Sequence, residues 1–273
     1  MKTASVFLAL ILAAAGATGC DVRVNDNGVS VDINEGGRAE DESTQSYPLS
    51  KGGRIDLETN NGRVEMVRAA GTAVEVHARR QVRGKTDEEA RELLKQQSFT
   101  VETTPDRVTI RAAKPEGLQA MRGRVQTDYR ISVPVGAVVS IKNENGNVDL
   151  KDIDARLTIG STNGLIEGRG VSGGLQVETV NGGVTMQMAA VTADVRIRTV
   201  NGGVILGLPK GINAMLEAHT VNGGVQVNDT LPMEPTTRER RRLSAKLGTG
   251  VGPRIDLQTT NGGVRLGGGE PPR

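Results

Sequence analysis

The sequence predicts an all-β fold, a β-solenoid of roughly 20-residue coils with a small α+β cap at its N-terminal end. Three observations predict it. A segment centred on Asn-Gly recurs seven times, and apolar residues alternate with polar ones within each copy. The 273 residues include two Tyr, two Phe and no Trp, so any core must be aliphatic.

Aligned on Asn61, Asn145, Asn163, Asn181, Asn201, Asn222 and Asn261, the copies superpose without gaps. From Asn145 onward the steps are 18, 18, 20, 21 and 39 residues, and the last reads as about two periods. Six and four residues before each Asn stand small or aliphatic side chains, such as Leu175 with Val177 and Val195 with Ile197. Two before it stands a small polar residue: Thr59, Asn143, Ser161, Thr179, Thr199, Thr220 or Thr259. Three after it the chain returns to Val or Ile. Side chains alternate faces along a strand, so each copy supplies two short strands joined at Asn-Gly, one face buried and one wet. An antiparallel meander with type I′ hairpin turns fits this spacing, and so does a solenoid of stacked coils. Identity between the copies favours the solenoid, because only stacking in register places Asn on Asn, Thr on Thr and Val on Val.

Along the chain, residues 1–19 read as a signal peptide: Lys2, an apolar run from Val6 to Ala15, then small residues. Ala17-Thr18-Gly19-Cys20 resembles a bacterial lipobox, with Ala17 where Leu is commonest, and ordinary cleavage after Ala15-Gly16-Ala17 is the alternative. Cys20 is the only Cys, so no internal disulfide is available and lipidation gives the thiol a use. Residues 20–46 are polar and read as a lipid-anchored tether, with alternation about Asn27-Gly28 that fits a hairpin. Residues 47–135 hold an N-terminal coil and capping elements. Thr86 and Glu89 form a capping-box pattern opening a helix to about Gln97, flanked by strands at 74–80, 99–103, 108–111 and 129–133. Residues 136–268 are the solenoid repeats, and 269–273 a disordered tail.

The TVNGGV-type repeats behind an export signal, with the closing segment LGTGVGPRIDLQTTNGGVRL, resemble the putative-adhesin β-strand-repeat family over about residues 46 to 268. That family is a domain of unknown function in bacterial envelope proteins. The resemblance implies a right-handed parallel β-helix or β-solenoid and carries no catalytic residues over to this chain.

Thirty-four basic against 32 acidic residues, with both signs interspersed, give no field to attract nucleic acid. The densest basic run holds Arg238, Arg240, Arg241 and Arg242. It reads as a solvated loop or short helix within the double-length step, or as a contact for an anionic partner. Gly170-Val171-Ser172-Gly173-Gly174 matches GxSxG, with Asp194 and His219 following, but a nucleophile elbow needs a helix next and here Leu175 opens a strand. His77 and His219 alone cannot furnish a histidine metal site, the calcium-solenoid Asp is missing, and no GxGxxG phosphate loop occurs. No catalytic residue, metal or cofactor is therefore assigned.

The reading is a non-enzymatic lipoprotein of the cell envelope, on its periplasmic or surface face. It is held to the membrane by its lipid anchor and presents a rigid solenoid of seven to nine coils to an envelope protein or polysaccharide, in adhesion or stress sensing. Two other classes remain open. A cluster of Asp or Glu on one coil face would favour a polysaccharide-active β-helix enzyme, and bare stackable ends a polymer-forming scaffold.

Overall fold

The computed structural model describes residues 20–25, 28–33, 36–113 and 125–269. The signal segment 1–19 and residues 270–273 lie outside them.

The described chain opens with β1 (Cys20–Asn25) and β2 (Gly28–Ile33), an antiparallel pair with Cys20 opposite Ile33. There follow β3 (Gly37–Pro48), β4 (Arg54–Asn61), β5 (Val64–Arg68), β6 (Ala73–Gly84), α1 (Asp87–Gln96), β7 (Phe99–Thr104), β8 (Arg107–Ala112) and β9 (Gln126–Val133). The repeats supply β10 (Ala137–Asn145), β11 (Val148–Lys151), β12 (Ala155–Asn163), β13 (Ile166–Ser172), β14 (Leu175–Asn181), β15 (Val184–Ala190), β16 (Val195–Asn201), β17 (Val204–Leu208), β18 (Ala214–Asn222) and β19 (Val225–Val227). A hairpin of β20 (Glu234–Arg238) and β21 (Arg242–Leu247) precedes a last coil, β22 (Arg254–Asn261) and β23 (Val264–Gly268).

Two sheets enclose one aliphatic core. The 11-stranded sheet runs β20-β21-β18-β22-β16-β14-β12-β10-β4-β8-β7, and the 10-stranded sheet runs β19-β23-β17-β15-β13-β11-β5-β9-β6-β3. Each contains eight successive parallel strands, one from each of eight coils. The solenoid is thus within the predicted length. Its seven spacings at about 4.8 Å make it roughly 34 Å long before the caps are added. Stacking is in register: Ile55, Val139, Leu157, Leu175, Val195, Ile255 and Leu216 form one buried file across the sheet. The type I′ meander is excluded by these parallel pairs.

The corners explain why Asn-Gly recurs. At each corner the Gly amide donates to the Asn carbonyl of the next coil, for example Gly146 N to Asn163 O at 2.9 Å and Gly182 N to Asn201 O at 3.0 Å. A Cβ on Gly146 would stand 2.0 Å from the Gly62 carbonyl oxygen, and its φ of +134° suits no other residue. Gly182 has no such φ, yet its Cβ would lie 1.9 Å from the Gly164 oxygen, so close approach of coils is the general requirement. The seven asparagines form an unbroken chain of six amide hydrogen bonds at 2.8–3.1 Å, in which every Nδ2 but that of Asn61 donates to the Oδ1 of its neighbour. Most of them are exposed. The buried polar file lies two residues earlier, where the Thr199, Thr220 and Thr259 hydroxyls donate to the carbonyls of Gly182, Gly262 and Gly202.

Three sequence readings are corrected. The last step does not contain two successive coils: β22 and β23 insert between the coils of Asn201 and Asn222, so the final repeat is the penultimate layer. The Arg-rich stretch is neither loop nor short helix. It is the hairpin β20–β21, which pairs antiparallel with β18 and buries Leu243, Ala245 and Leu247. Residues 37–46 of the expected tether belong to β3 instead. That edge strand pairs with β6 along its whole length, and ion pairs of Glu40 with Arg79 and Asp41 with Arg80 cross the ladder. Hydrophobic patterning cannot detect a strand whose side chains are nearly all polar.

At the N-terminal end the helix forms as its capping box requires, Thr86 Oγ1 accepting from Glu89 N at 3.2 Å and Glu89 Oε2 from Lys85 N at 2.8 Å. Ala90, Leu93 and Leu94 bury against Val82, and Arg80 closes the helix by donating to the Leu94 and Gln97 carbonyls. The strands of this cap match the predicted ones within a few residues.

Candidate interaction surface

Residues three and one before each Asn point outward from the 11-stranded sheet, and together they line a groove of about 690 Å³ crossing seven strands. Its floor and walls change along its length. Gly160 leaves a gap at β12, Lys142 and Glu144 lie on the N-terminal side, and on the C-terminal side the half-exposed Val180 and Val200 are neighbours, with Thr260 of β22 between them and Val221. Glu178 reaches Arg198 at 4.0 Å within this groove.

Beyond β18 the sheet continues into the β20–β21 hairpin. Arg242 stands opposite His219 in the β18–β21 ladder, so both occupy the same outer face. The backbone of the turn is fixed: Val225 N donates to Arg240 O at 2.9 Å, Thr220 N to Arg241 O at 3.0 Å, and Glu239 N to Arg242 O at 2.8 Å. Arg238, Arg240, Arg241 and Arg242 are exposed, and none has an ion pair among the described residues. Arginines elsewhere on the sheets are mostly engaged: Arg54 and Arg107 with Asp56, Arg63 with Asp149, Arg130 with Glu65. The structure thus places the four predicted arginines around one hydrogen-bonded hairpin turn, with Arg242 on the outer face beside His219 and Arg238 opposite Leu243 on the other face. This hairpin forms the end of one sheet, while β3 lies on the edge of the other sheet at the opposite end.

The chemistry-bearing motifs do not converge. Ser172 ends β13 at a corner, where a Cβ on Gly173 would lie 2.2 Å from the Ala155 oxygen, and β14 follows instead of a helix. His219 is in register with Glu178, three strands across and three residues along from Leu175, on the order of 17 Å away. Asp194 accepts from the Arg254 amide. His77 lies 3.7 Å from Glu42 on the N-terminal cap. The best shielded carboxylates each face cations: the Lys151 ammonium at 2.5 Å, with Arg130 at 3.0 Å, holds Glu65 below the usual carboxylate range. Burial pushes the phenol of Tyr129 up. Among the described residues no helix is long and apolar enough to cross a membrane.

The groove itself was not read from the sequence. Its signal was present in the variable outward positions, where Val180, Val200 and Val221 replace the polar residues expected on a wet face.

No curated protein matches the chain. Among solved structures, a putative cell adhesion protein from Clostridium sporogenes is similar at 11% identity and a TM-score of 0.49, over 84% of this chain and all of that one. A putative adhesin from Bacteroides fragilis is similar at 10% identity and a TM-score of 0.31, over 84% of this chain and 97% of that one. A putative lipid binding protein from Parabacteroides distasonis is similar at 10% identity and a TM-score of 0.30, over 82% of this chain and 96% of that one. These neighbours bear the names of adhesins or binding proteins, not of enzymes. The profile of one family covers residues 55–266, nearly the whole two-sheet stack, and the chain belongs to that family, Toastrack DUF4097.

Proposed function

We propose that this chain is an exported envelope module, anchored through a lipidated Cys20, that works by binding and not by catalysis. The arginine hairpin is its contact for an anionic envelope partner, an acidic protein or polysaccharide, in adhesion or in sensing envelope stress. One observation carries this reading: four exposed arginines without ion pairs are fixed on a hydrogen-bonded turn at the end of the solenoid away from β3. Guanidinium groups bind carboxylate and phosphate in bidentate fashion, and a rigid backbone lowers the entropy lost on contact. Antiparallel strands cover both ends of the 11-stranded sheet, which argues against a self-stacking polymer.

Two experiments test the reading. Intact-mass analysis of membrane fractions from wild type and Cys20→Ala should show a gain of acyl mass that the variant lacks. Binding to envelope fractions and anionic glycans should fall at least about tenfold when the four arginines become Ala, roughly 1.4 kcal/mol or more. Unchanged binding by the quadruple variant overturns the assignment of the hairpin. An unmodified Cys20 overturns the anchor.

A further inference from the structure

We infer that Asn222 is a site of spontaneous covalent modification: the Asn222-Gly223 pair closes to a succinimide and opens to aspartate and isoaspartate, while the other six Asn-Gly corners resist it. Asn-Gly is the dipeptide most prone to this reaction, because glycine has no side chain to shield its own nitrogen. The sequence offers seven such corners of nearly equal chemistry, at Asn61, Asn145, Asn163, Asn181, Asn201, Asn222 and Asn261. Ring closure needs a glycine nitrogen free to lose its proton and an asparagine side chain free to turn onto that nitrogen. The fold therefore decides which corners react.

At six corners the glycine nitrogen is tied. Gly62 donates to the Asn145 carbonyl at 3.0 Å, Gly146 to Asn163 at 2.9 Å, Gly164 to Asn181 at 3.0 Å, Gly182 to Asn201 at 3.0 Å, Gly202 to Asn261 at 2.9 Å and Gly262 to Asn222 at 3.1 Å. Gly223 belongs to the last coil, has no further coil to donate to, and finds no acceptor among the described residues. The side chains follow the same order. Asn145, Asn163, Asn181, Asn201 and Asn261 each donate through Nδ2 and accept through Oδ1 in the ladder, whereas Asn61 only accepts and Asn222 only donates, to Asn261 at 2.8 Å. To react, an inner corner must break two ladder bonds and one backbone bond, Asn61 one of each, and Asn222 a single ladder bond. Gly62 is buried and Gly223 only partly so. The strand after Gly223, β19, has three residues, one strand neighbour and no buried side chain, so local opening costs least there.

The step needs only water. Hydroxide or water takes the Gly223 proton, the nitrogen bonds to Asn222 Cγ, the Cγ–Nδ2 bond breaks, and the side-chain nitrogen leaves as ammonia with a proton from solvent. Water then opens the ring. Cleavage of the new N–Cγ bond restores the ordinary backbone with aspartate at position 222, and cleavage of the original N–C bond leaves isoaspartate, whose backbone runs through the former side chain. Ammonia is exchanged for water, and the chain gains one negative charge. A carboxylate has no hydrogen to give Asn261, so either product ends the last bond of the ladder. The altered residue lies between Thr220 and Val225, whose amides hold the carbonyls of Arg241 and Arg240 at 3.0 and 2.9 Å. The modification therefore loosens the seat of the arginine hairpin as the protein ages, a consequence read on the backbone and independent of what the hairpin binds.

Peptide mapping of the purified full chain, incubated folded in mildly alkaline buffer, reads the outcome site by site. Each modified peptide gains about 1 Da, and isoaspartate is recognised by its backbone fragments. The peptide carrying Asn27, outside the described residues, is scored apart. Asn222 is expected to react at least about tenfold faster than any inner corner, with Asn61 between them. In denaturant, where the ladder and the corner bonds are gone, the seven sites are expected to react at comparable rates. Asn222→Asp, which makes one product genetically, is expected to speed hydrogen exchange of the Thr220 and Val225 amides and to leave that of the Gly62 amide unchanged. An inner corner that reacts as fast as Asn222 in the folded chain overturns the inference. So does an Asn222 that stays intact in the folded chain over the time in which the unfolded chain reacts at all seven sites. Unchanged exchange of Thr220 and Val225 in Asn222→Asp overturns the loosening of the hairpin.

Discussion

From β10 to β17 strand order follows chain order, whereas at each end one coil is displaced: β4–β5 lies inside β8–β9, and β22–β23 lies inside β18–β19. The middle coils are near copies of one another, stacked by files of identical residues that would fit equally well one coil up or down. The ends supply what identity cannot. Each chain-terminal coil is paired on both edges, and an internal segment of the chain covers it. The first and last repeats therefore cannot fray as the ends of a simple stack would. The ends also use different adhesives. The middle is held by aliphatic files such as Ile141, Ile159, Val177 and Ile197, whereas β3 presents mostly polar side chains and is held by its twelve-residue ladder with β6.

The strongest way to break the comparison is to remove the inserted coil. Ending the chain at Leu247 leaves β18 without its parallel neighbour and exposes the file of Val195 and Ile197, so the C-terminal end should lose protection from proteolysis while the N-terminal cap keeps it. Leu257→Ala should act within the same coil at smaller scale. Leu257 is fully buried, and its truncation should cost about 2–5 kcal/mol in chemical denaturation, the range for cavity-forming changes. Thr259→Val is nearly isosteric but deprives the Gly202 carbonyl of its 2.8 Å donor, and about 1 kcal/mol is expected by the same measurement.

The smallest effect belongs to the surface ion pairs. Lys151 and Arg130 lower the pKa of Glu65 in the folded state, so this group stabilises the fold above its ordinary value of 4.5. That stabilisation is lost as pH falls from there towards the lowered value. The difference in thermal midpoint between wild type and Glu65→Gln should be present at pH 7 and shrink below about pH 4.5.

Much of the stack was legible because a solenoid repeats its constraint: seven Asn-Gly corners and the alternation around them give the strands, their facing and their parallel register. The helix was legible through Thr86 and Glu89, whose capping contacts are local. The order of the last two coils was not, since β22 fits beside β16 or beyond β18 with the same file of residues, and only the three-dimensional closure decides. β3 was missed because its side chains are nearly all polar and its partner strand β6 lies far along the chain. Of the candidate surface, the arginines were visible as a run. Their rigid turn and their lack of ion pairs were not, since both depend on where β20 and β21 dock.

The displaced C-terminal coil is tested most directly by cysteine cross-linking on the outer face of the 10-stranded sheet, in the Cys20→Ala background. Ile205 is in register with Arg265, and Arg265 with Gln226. Neighbouring parallel strands stand about 4.8 Å apart, within disulfide reach, whereas Ile205 and Gln226 are two strands, about 9.6 Å, apart. The account predicts an intramolecular disulfide in the Ile205→Cys, Arg265→Cys chain and none in the Ile205→Cys, Gln226→Cys chain. The opposite pattern, with residues 205 and 226 bridged and 205 and 265 not, would place the coils in chain order and contradict it.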